Sequence, residues 1–172
     1  MRIIAGTLGG RSFESPKTHK THPMSEKVRG AIFNKLGDIK GLSVLDAFAG
    51  TGALGYEALS RGASNALLIE SDRSAQQTIT DNNRVLGLDD RARLIKANCS
   101  SWSDRNLDEL FDLVILDPPF DHLQLLAVRK LSLHTKPGGI CVLNWPGKSE
   151  LPVIDGCKLV DSSNYGDTQL AF

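Results

Sequence analysis

The sequence contains no long apolar run: nothing in it approaches the roughly 20 consecutive residues that a membrane helix needs, and the opening MRIIAGTLGG lacks the apolar stretch of a signal peptide. A soluble, cytoplasmic protein with no membrane partner is the expectation. Cysteine is sparse as well. Cys99, Cys141 and Cys157 are odd in number and far apart, which argues against a disulfide framework and against the paired spacings of a zinc site. Reduced, partly buried thiols are expected. His19 and His22 have no cysteine or carboxylate partner at metal-ligand spacing, so no metal is expected either. The chain also lacks internal repeats and low-complexity tracts, and it has no net charge at neutral pH.

That zero averages two unlike parts. Residues 1–40 carry eight Lys and Arg against three Asp and Glu, a balance of +5, and the remainder carries twelve against seventeen, a balance of −5. A basic end on an acidic body suits an arm that meets a polyanion, although an ordinary solvated face explains the same bias. Arg2, Arg11, Lys17, Lys20, Lys27 and Arg29 are the candidate contacts to the phosphates of such a polyanion. With 172 residues, 41% of them hydrophobic and 23% charged, the chain can bury one substantial core. We expect a single domain over 1–172, made of a basic extension (1–40) and a core (41–172).

Four apolar runs are short, rich in branched residues and bounded by turn or helix-start signals: LSVLDAF (42–48), NALLIES (65–71), FDLVILD (111–117) and GICVLNW (139–145). RARLIKAN (91–98) is a weaker fifth strand. Between them lie helical patterns, ALGYEALSRG and DRSAQQTITDNNRVLG, each ending at a glycine suited to a helix C-cap. Continuous apolar strands separated by helices indicate a parallel sheet covered on both faces. At the front, RIIAG and GRSFES flank a Gly-rich turn and predict a small hairpin, followed by a helix from about Ser25 to Leu36; at the back, CKLVDSS and TQLAF predict two closing strands joined through Asn164 to Asp167.

Two stretches carry chemistry. LDAFAGTGALG puts Gly50, Gly52 and Gly55 in a GxGxxG spacing between a strand and a helix, where the backbone can turn tightly and approach a ligand. A nicotinamide dinucleotide would also fit, and Glu70 at the end of the next strand can hold the ribose of either cofactor. Asp46 separates the two. A carboxylate just ahead of the glycines sits badly beside a pyrophosphate and suits a ligand with an ammonium group, such as S-adenosylmethionine; a helix-capping carboxylate is the plainer alternative. The candidate cofactor set is Asp46, Phe48, Gly50, Thr51, Gly52, Glu70, Ser71, Asn98 and Cys99, with Asn98 and Cys99 placed to approach the adenine.

The second stretch is LVILDPPF (113–120). Two prolines fix the backbone and remove two N–H donors, so Asp117, Pro118 and Pro119 form a stiff corner that aims a carboxylate and a carbonyl at one place. Phe120 adds a flat face for a planar base. Two acceptors beside an aromatic plate suit an exocyclic amino group on a nucleobase, and methyl transfer to such a nitrogen needs mainly positioning and electrostatics. Asp117, Pro118, Pro119 and Phe120 are the candidate catalytic residues. His122, Trp102 and Trp145 are read as a solvent-facing histidine and as packing residues.

In this order DAFAGTGALG, IES and DPPF resemble the motifs of amino-group methyltransferases, and RIIAG, GGR, HPMSEKVRGAIFNKLG, ALSRGA and YGDTQLAF resemble the RsmD family, bacterial enzymes that methylate a guanine N2 in small-subunit ribosomal RNA. The resemblance implies a Rossmann-like class I S-adenosylmethionine-dependent methyltransferase fold: a mostly parallel seven-stranded sheet, helices on both faces and a small N-terminal hairpin and helix. It implies S-adenosylmethionine as cofactor and ribosomal RNA or the small ribosomal subunit as partner. His22, Pro23 and Met24 depart from the family's usual Arg-Pro-Thr, and Asn144-Trp145-Pro146 lacks an acidic residue common there. Amino-group methylation of adenine N6, a nicotinamide dehydrogenase, and a non-catalytic nucleic-acid-binding module are the alternatives.

Overall fold

The computed structural model describes residues 1–16 and 24–172. Lys17, His19, Lys20, His22 and Pro23 therefore lie outside the described residues. Along the chain come α1 (Glu26–Leu36), β1 (Ser43–Asp46), α2 (Ala53–Ser60), β2 (Asn65–Glu70), α3 (Arg73–Leu86), β3 (Ala92–Lys96), α4 (Cys99–Ser103), β4 (Phe111–Leu116), α5 (Leu125–Ser132), β5 (Thr135–Pro146), β6 (Ser162–Tyr165) and β7 (Thr168–Ala171). The strands form one sheet in the order β3-β2-β1-β4-β5-β7-β6. The first five pair in parallel, and β7 enters antiparallel between β5 and β6.

The absence of alternation in the strand sequences follows from burial on both faces. Val44, Leu68, Leu113 and Ile115 pack with Ile32 and Phe33 of α1, Leu54 and Leu59 of α2 and Ile79 of α3. Their sequence neighbours Leu45, Leu67, Ile69, Val114 and Leu116 point the other way, onto Trp102 of α4 and Val128 and Leu131 of α5. Every central strand residue thus meets a core, whichever way the pleat turns it. Helix ends follow their sequence signals. The side chains of Ser25, Asp72 and Asn98 accept from the backbone N–H of Val28, Ala75 and Ser101, and α3 stops at Gly87 in the left-handed region (φ 69°).

The ends differ from expectation. RIIAG and GRSFES make a single antiparallel bridge between Arg2 and Ser12 in place of a strand ladder. Backbone bonds from Phe13 N–H to Met1 O (2.9 Å) and Ile3 N–H to Arg11 O (2.9 Å) close it, and α2 fixes it from outside: the buried Glu57 carboxylate accepts from the N–H of Ile4 (2.8 Å) and Ala5 (3.1 Å), and the Ser60 hydroxyl accepts from Leu8 N–H (2.9 Å). At the other end, residues 157–161 are irregular, β6 starts only at Ser162, and the hairpin turns at Gly166 and Asp167. α4 and α5 were not predicted; both are short, and each buries one apolar stripe.

Candidate active site

Parallel strands leave the ends of β1 and β4 pointing the same way at the place where the chain order reverses. From β1 the chain runs outward through β2 and β3, whereas β4 lies on its other side. Ligands of open α/β sheets bind outside the carboxyl ends of the strands at such a place. A cleft of about 950 Å³ opens there, walled by Phe48, Gly50, Thr51, Glu70, Ser71, Asn98, Cys99, Asp117, Pro118, Pro119 and Phe120, together with Asn144, Asp167 and Thr168. Both motifs line one cavity.

The glycine loop is built around two carboxylates. Gly50 (φ 52°) and Gly52 (φ 79°) take left-handed conformations, and a Cβ on Gly52 would strike the Tyr56 ring at 2.7 Å. Glu70 accepts the N–H of Gly50 on Oε2 (2.7 Å) and those of Ser71 and Asp72 on Oε1 (2.7 Å each). It therefore ties the loop to the start of α3 and still keeps about one acceptor position for a hydroxyl donor, since a carboxylate has about four.

Asp46 is placed differently from expectation. It is fully buried beneath the loop and does not line the cleft; Oδ2 accepts from Gly55 N–H (3.0 Å), while Oδ1 has no partner among the described residues. Burial pushes its carboxyl up to about 7, with Asp117 and Glu70 adding smaller repulsions. The donor set fits S-adenosylmethionine: an orphaned buried oxygen under a glycine loop favours a cationic ligand end, Glu70 suits a ribose, and Ile69 and Ala97 offer apolar walls to an adenine. Asn98 uses its side-chain oxygen to cap α4, and the buried Cys99 thiol is pushed up to about 11, so it stays protonated.

At the Asp-Pro-Pro-Phe corner Asp117 accepts from Asn144 Nδ2 on Oδ1 (2.7 Å), and Thr168 Oγ1 donates to Asn144 Oδ1. Burial raises the Asp117 carboxyl to about 6, against the lowering effect of Asn144. Phe120 is 40% exposed at the mouth of the cleft. Asn144 and Thr168 were missed as site residues. The one available signal was a polar residue inside the otherwise apolar run CVLNW. His122 is exposed and does not line the cleft, and Trp102 and Trp145 are buried.

The basic extension divides. Lys27 is exposed, and Arg2, also exposed, pairs with Glu26 through two 3.0 Å contacts. Arg11 donates to the carbonyls of Val85 (2.8 Å) and Leu86 (3.2 Å) at the end of α3. Arg29 needs correction as a candidate RNA contact. It is 0% exposed, its Nη2 donates to Arg2 O (2.7 Å) and its Nε lies 3.7 Å from Glu57, so no phosphate can reach it. Helical phase explains the difference, because Arg29 follows Val28 on the inward face of α1. Cys157, expected to be partly buried, is exposed.

A seven-stranded sheet with this strand order, a glycine loop after β1 and Asp-Pro-Pro-Phe after β4 defines a Rossmann-like class I methyltransferase fold. A family model described as "Conserved hypothetical protein 95" matches residues 1–172, and the chain belongs to this family, the RsmD family. Ribosomal RNA small subunit methyltransferase D of Escherichia coli is 39% identical over 121 residues, covering 70% of this chain and 60% of that protein. The protein of the same name from Haemophilus influenzae is 33% identical over 148 residues, covering 84% and 72%. The solved structure of yhhF from Escherichia coli superposes with a TM-score of 0.84 at 30% identity, covering 99% of this chain and 95% of that one. The sequence alignment thus spans less than two thirds of the Escherichia coli enzyme, while the folded neighbour matches almost end to end.

Proposed function

We propose that the chain transfers the methyl group of S-adenosylmethionine to the N2 amino group of a guanine in small-subunit ribosomal RNA. The relatives named above carry that RNA in their names, and the fold neighbour supports the reaction class. The observation that carries the reading is the chemistry of the cleft at the Asp-Pro-Pro-Phe corner. Among the described residues, its charged lining groups are Glu70, Asp72, Asp117, Asp121 and Asp167, with no lysine, arginine or histidine beside them. Such a lining accepts hydrogen bonds. Guanine sets the N1–H donor beside its N2–H₂, with the acceptors O6 and N3 to either side of that pair, whereas adenine flanks its N6–H₂ with the acceptors N1 and N7. An acceptor-rich site favours guanine.

In this reading the target base leaves its stack and lies against Phe120. Asp117 and the Pro118 carbonyl accept the two amine hydrogens. Holding both of them turns the nitrogen lone pair, otherwise delocalised into the ring, toward the cofactor. When bound, the cofactor supplies an electrophilic sulfonium methyl. Glu70 and the glycine loop fix its ribose and amino-acid ends, so that in-line transfer rests on position. The nitrogen is strongly acidic once methylated, and its proton passes to water or to Asp117. Exposed cations such as Lys27 meet RNA phosphates in a sequence-independent way. A dehydrogenase is disfavoured because Asp46 lies directly beneath the loop that would hold a pyrophosphate.

The test is to incubate the protein with methyl-labelled S-adenosylmethionine and, separately, unmodified small subunits, naked ribosomal RNA and duplex DNA, then identify the labelled nucleoside. N2-methylguanosine in RNA is expected. Label on adenine N6, or in DNA alone, would replace the reading.

A further inference from the structure

Resting on the proposed amine-methylation reading, the geometry points to a further role: we propose that Asn144 is a positioning residue which, oriented by Thr168, occupies one oxygen of Asp117 and leaves the other as the single side-chain acceptor for the target amine. Asn144 is 6% exposed and lies at the end of β5, with Asp117 beside it at the end of β4. The β4–β5 register pairs Leu116 with Leu143, so the next pair along the two strands is Asp117 and Asn144. The contact is thus set by sheet registry and does not depend on a mobile loop. Nδ2 donates to Asp117 Oδ1 at 2.7 Å, and Oδ1 of the amide receives the Thr168 hydroxyl.

The orientation of that amide is determined by its neighbours. Thr168 Oγ1 has one proton and two acceptors in reach, Asn144 Oδ1 and the Trp145 carbonyl (3.3 Å). If the amide turned over, its oxygen would face the Asp117 carboxylate, placing two acceptors together with no proton between them. An ionised Asp117 therefore holds Nδ2 toward itself, and Thr168 completes the chain from the other side. Among the described residues the remaining carboxylate oxygen has no hydrogen-bond partner, and Asp117 and Pro118 both line the cleft. The other acids near it are Asp46 beneath the glycine loop, Glu70 and Asp72 on the β2 side, Asp121 after the corner and Asp167 in the β6–β7 turn. Among the described residues none of these acids hydrogen-bonds to Asp117, and Asn144 does, so Asn144 is the polar group that decides which oxygen of Asp117 faces the base.

This arrangement makes a substitution pattern that simple structural support would not. Asp117→Asn preserves size, but Asn144 still demands an oxygen, so the new amide turns its NH₂ group toward the target amine and methylation falls sharply. In the double variant Asp117→Asn/Asn144→Asp the polarity of the contact is reversed. The carboxylate at position 144 now accepts from the amide at position 117, whose oxygen turns back toward the base. Single-turnover methylation of unmodified small subunits is expected to fall at least about a hundredfold in Asp117→Asn and to recover at least about tenfold of that loss in the double variant. A double variant no faster than Asp117→Asn alone would overturn the proposal.

A second readout needs no activity at all. The Asp117 carboxyl of the substrate-free protein, followed by carbon NMR, is expected to titrate about one unit higher in Asn144→Ala than in the parent, because a hydrogen bond to the charged form is lost. Thr168→Val should shift it the same way by less. An unchanged Asp117 midpoint in Asn144→Ala would equally overturn the role assigned to Asn144. Failure of the parent protein to methylate guanine would instead strike the functional reading, and the titration would still decide whether Asn144 governs Asp117.

Discussion

In the proposed reaction Asp117 is under two opposed demands, to be desolvated so that its acceptor is strong and to remain charged. Burial raises its carboxyl to about 6 while Asn144 pulls the other way. A carboxyl whose folded value lies above its unfolded one, near 3.9, keeps its stabilising proton only at low pH. Its contribution is complete below about pH 4 and is lost as pH rises through about 6. Asp117→Asn has no such loss. In paired denaturant melts of the substrate-free protein, the variant should gain on the parent by about 2–3 kcal/mol between pH 4 and pH 8. A stability difference that does not change with pH would mean that Asp117 is not desolvated. In the same range single-turnover methylation by the parent should rise with pH through about 6, as the carboxylate becomes available. Asp117→Ala, which leaves the amine without one acceptor, should cost about 1–3 kcal/mol of transition-state stabilisation, some 5- to 150-fold in rate. These residues differ in how legible they were. Asp117, Pro118, Pro119 and Phe120 are consecutive, so their joint geometry is written in local backbone restrictions. Asn144 acts across a strand pairing, and without the register nothing in the sequence links it to a residue 27 positions away.

Among the elements, the parallel sheet and the helices flanking it on both faces were readable because continuous apolar strands have few other uses. The extremities were not. The front hairpin is shorter than expected: RIIAG and GRSFES meet at one bridge, with Phe13 N–H donating to Met1 O (2.9 Å) and Ile3 N–H to Arg11 O (2.9 Å), and beyond it Ile4 and Ala5 turn their N–H groups to Glu57 of α2 in place of a neighbouring strand. Gly6 shows how close that docking is: a Cβ there would lie 1.9 Å from the Ser60 carbonyl oxygen. The glycine loop was readable as a ligand loop, yet its support was misjudged in one respect. Asp46 serves it from below and Glu70 from the side, the latter through three backbone N–H groups. Glu70→Ala should therefore do more than delete a ribose contact, because it also frees Gly50 from the start of α3. Calorimetric titration with S-adenosylmethionine should show at least a tenfold weaker affinity, and hydrogen exchange should quicken at Gly50, Ser71 and Asp72. Weakened binding with unchanged exchange would restrict Glu70 to a ligand contact.

On the scale of the whole molecule, a net charge of zero hides a basic front, and the front itself hides two kinds of arginine and lysine. Counting charge along the chain could not separate them, because exposure depends on helical phase and on what α2 offers. Arg29 and Arg61 both meet the buried Glu57 carboxylate, Arg61 at 2.8 Å, so the inward cation belongs to the scaffold that docks the N-terminal segment. Removing one partner of such a buried pair strands the other and costs about 3–5 kcal/mol. Cations free to face solvent act through counterion release, each phosphate contact adding about 0.9 to the slope of log affinity against log salt. The two roles give opposite experimental signatures. Neutralising Lys17 and Lys20 together should weaken RNA binding and flatten its salt dependence by up to about two units of slope, leaving the melting temperature and the affinity for S-adenosylmethionine unchanged. Arg29→Met should lower the melting temperature by several degrees and leave the salt slope of the remaining folded protein where it was. Both variants can be measured on one RNA across a series of salt concentrations, with thermal melts in parallel. If Arg29→Met flattens the slope as the lysine pair does, the guanidinium reaches RNA and the N-terminal segment must open to let it. If the lysine pair leaves the slope untouched, the positive balance of residues 1–40 is a solvated face, and RNA is gripped by another surface of the domain.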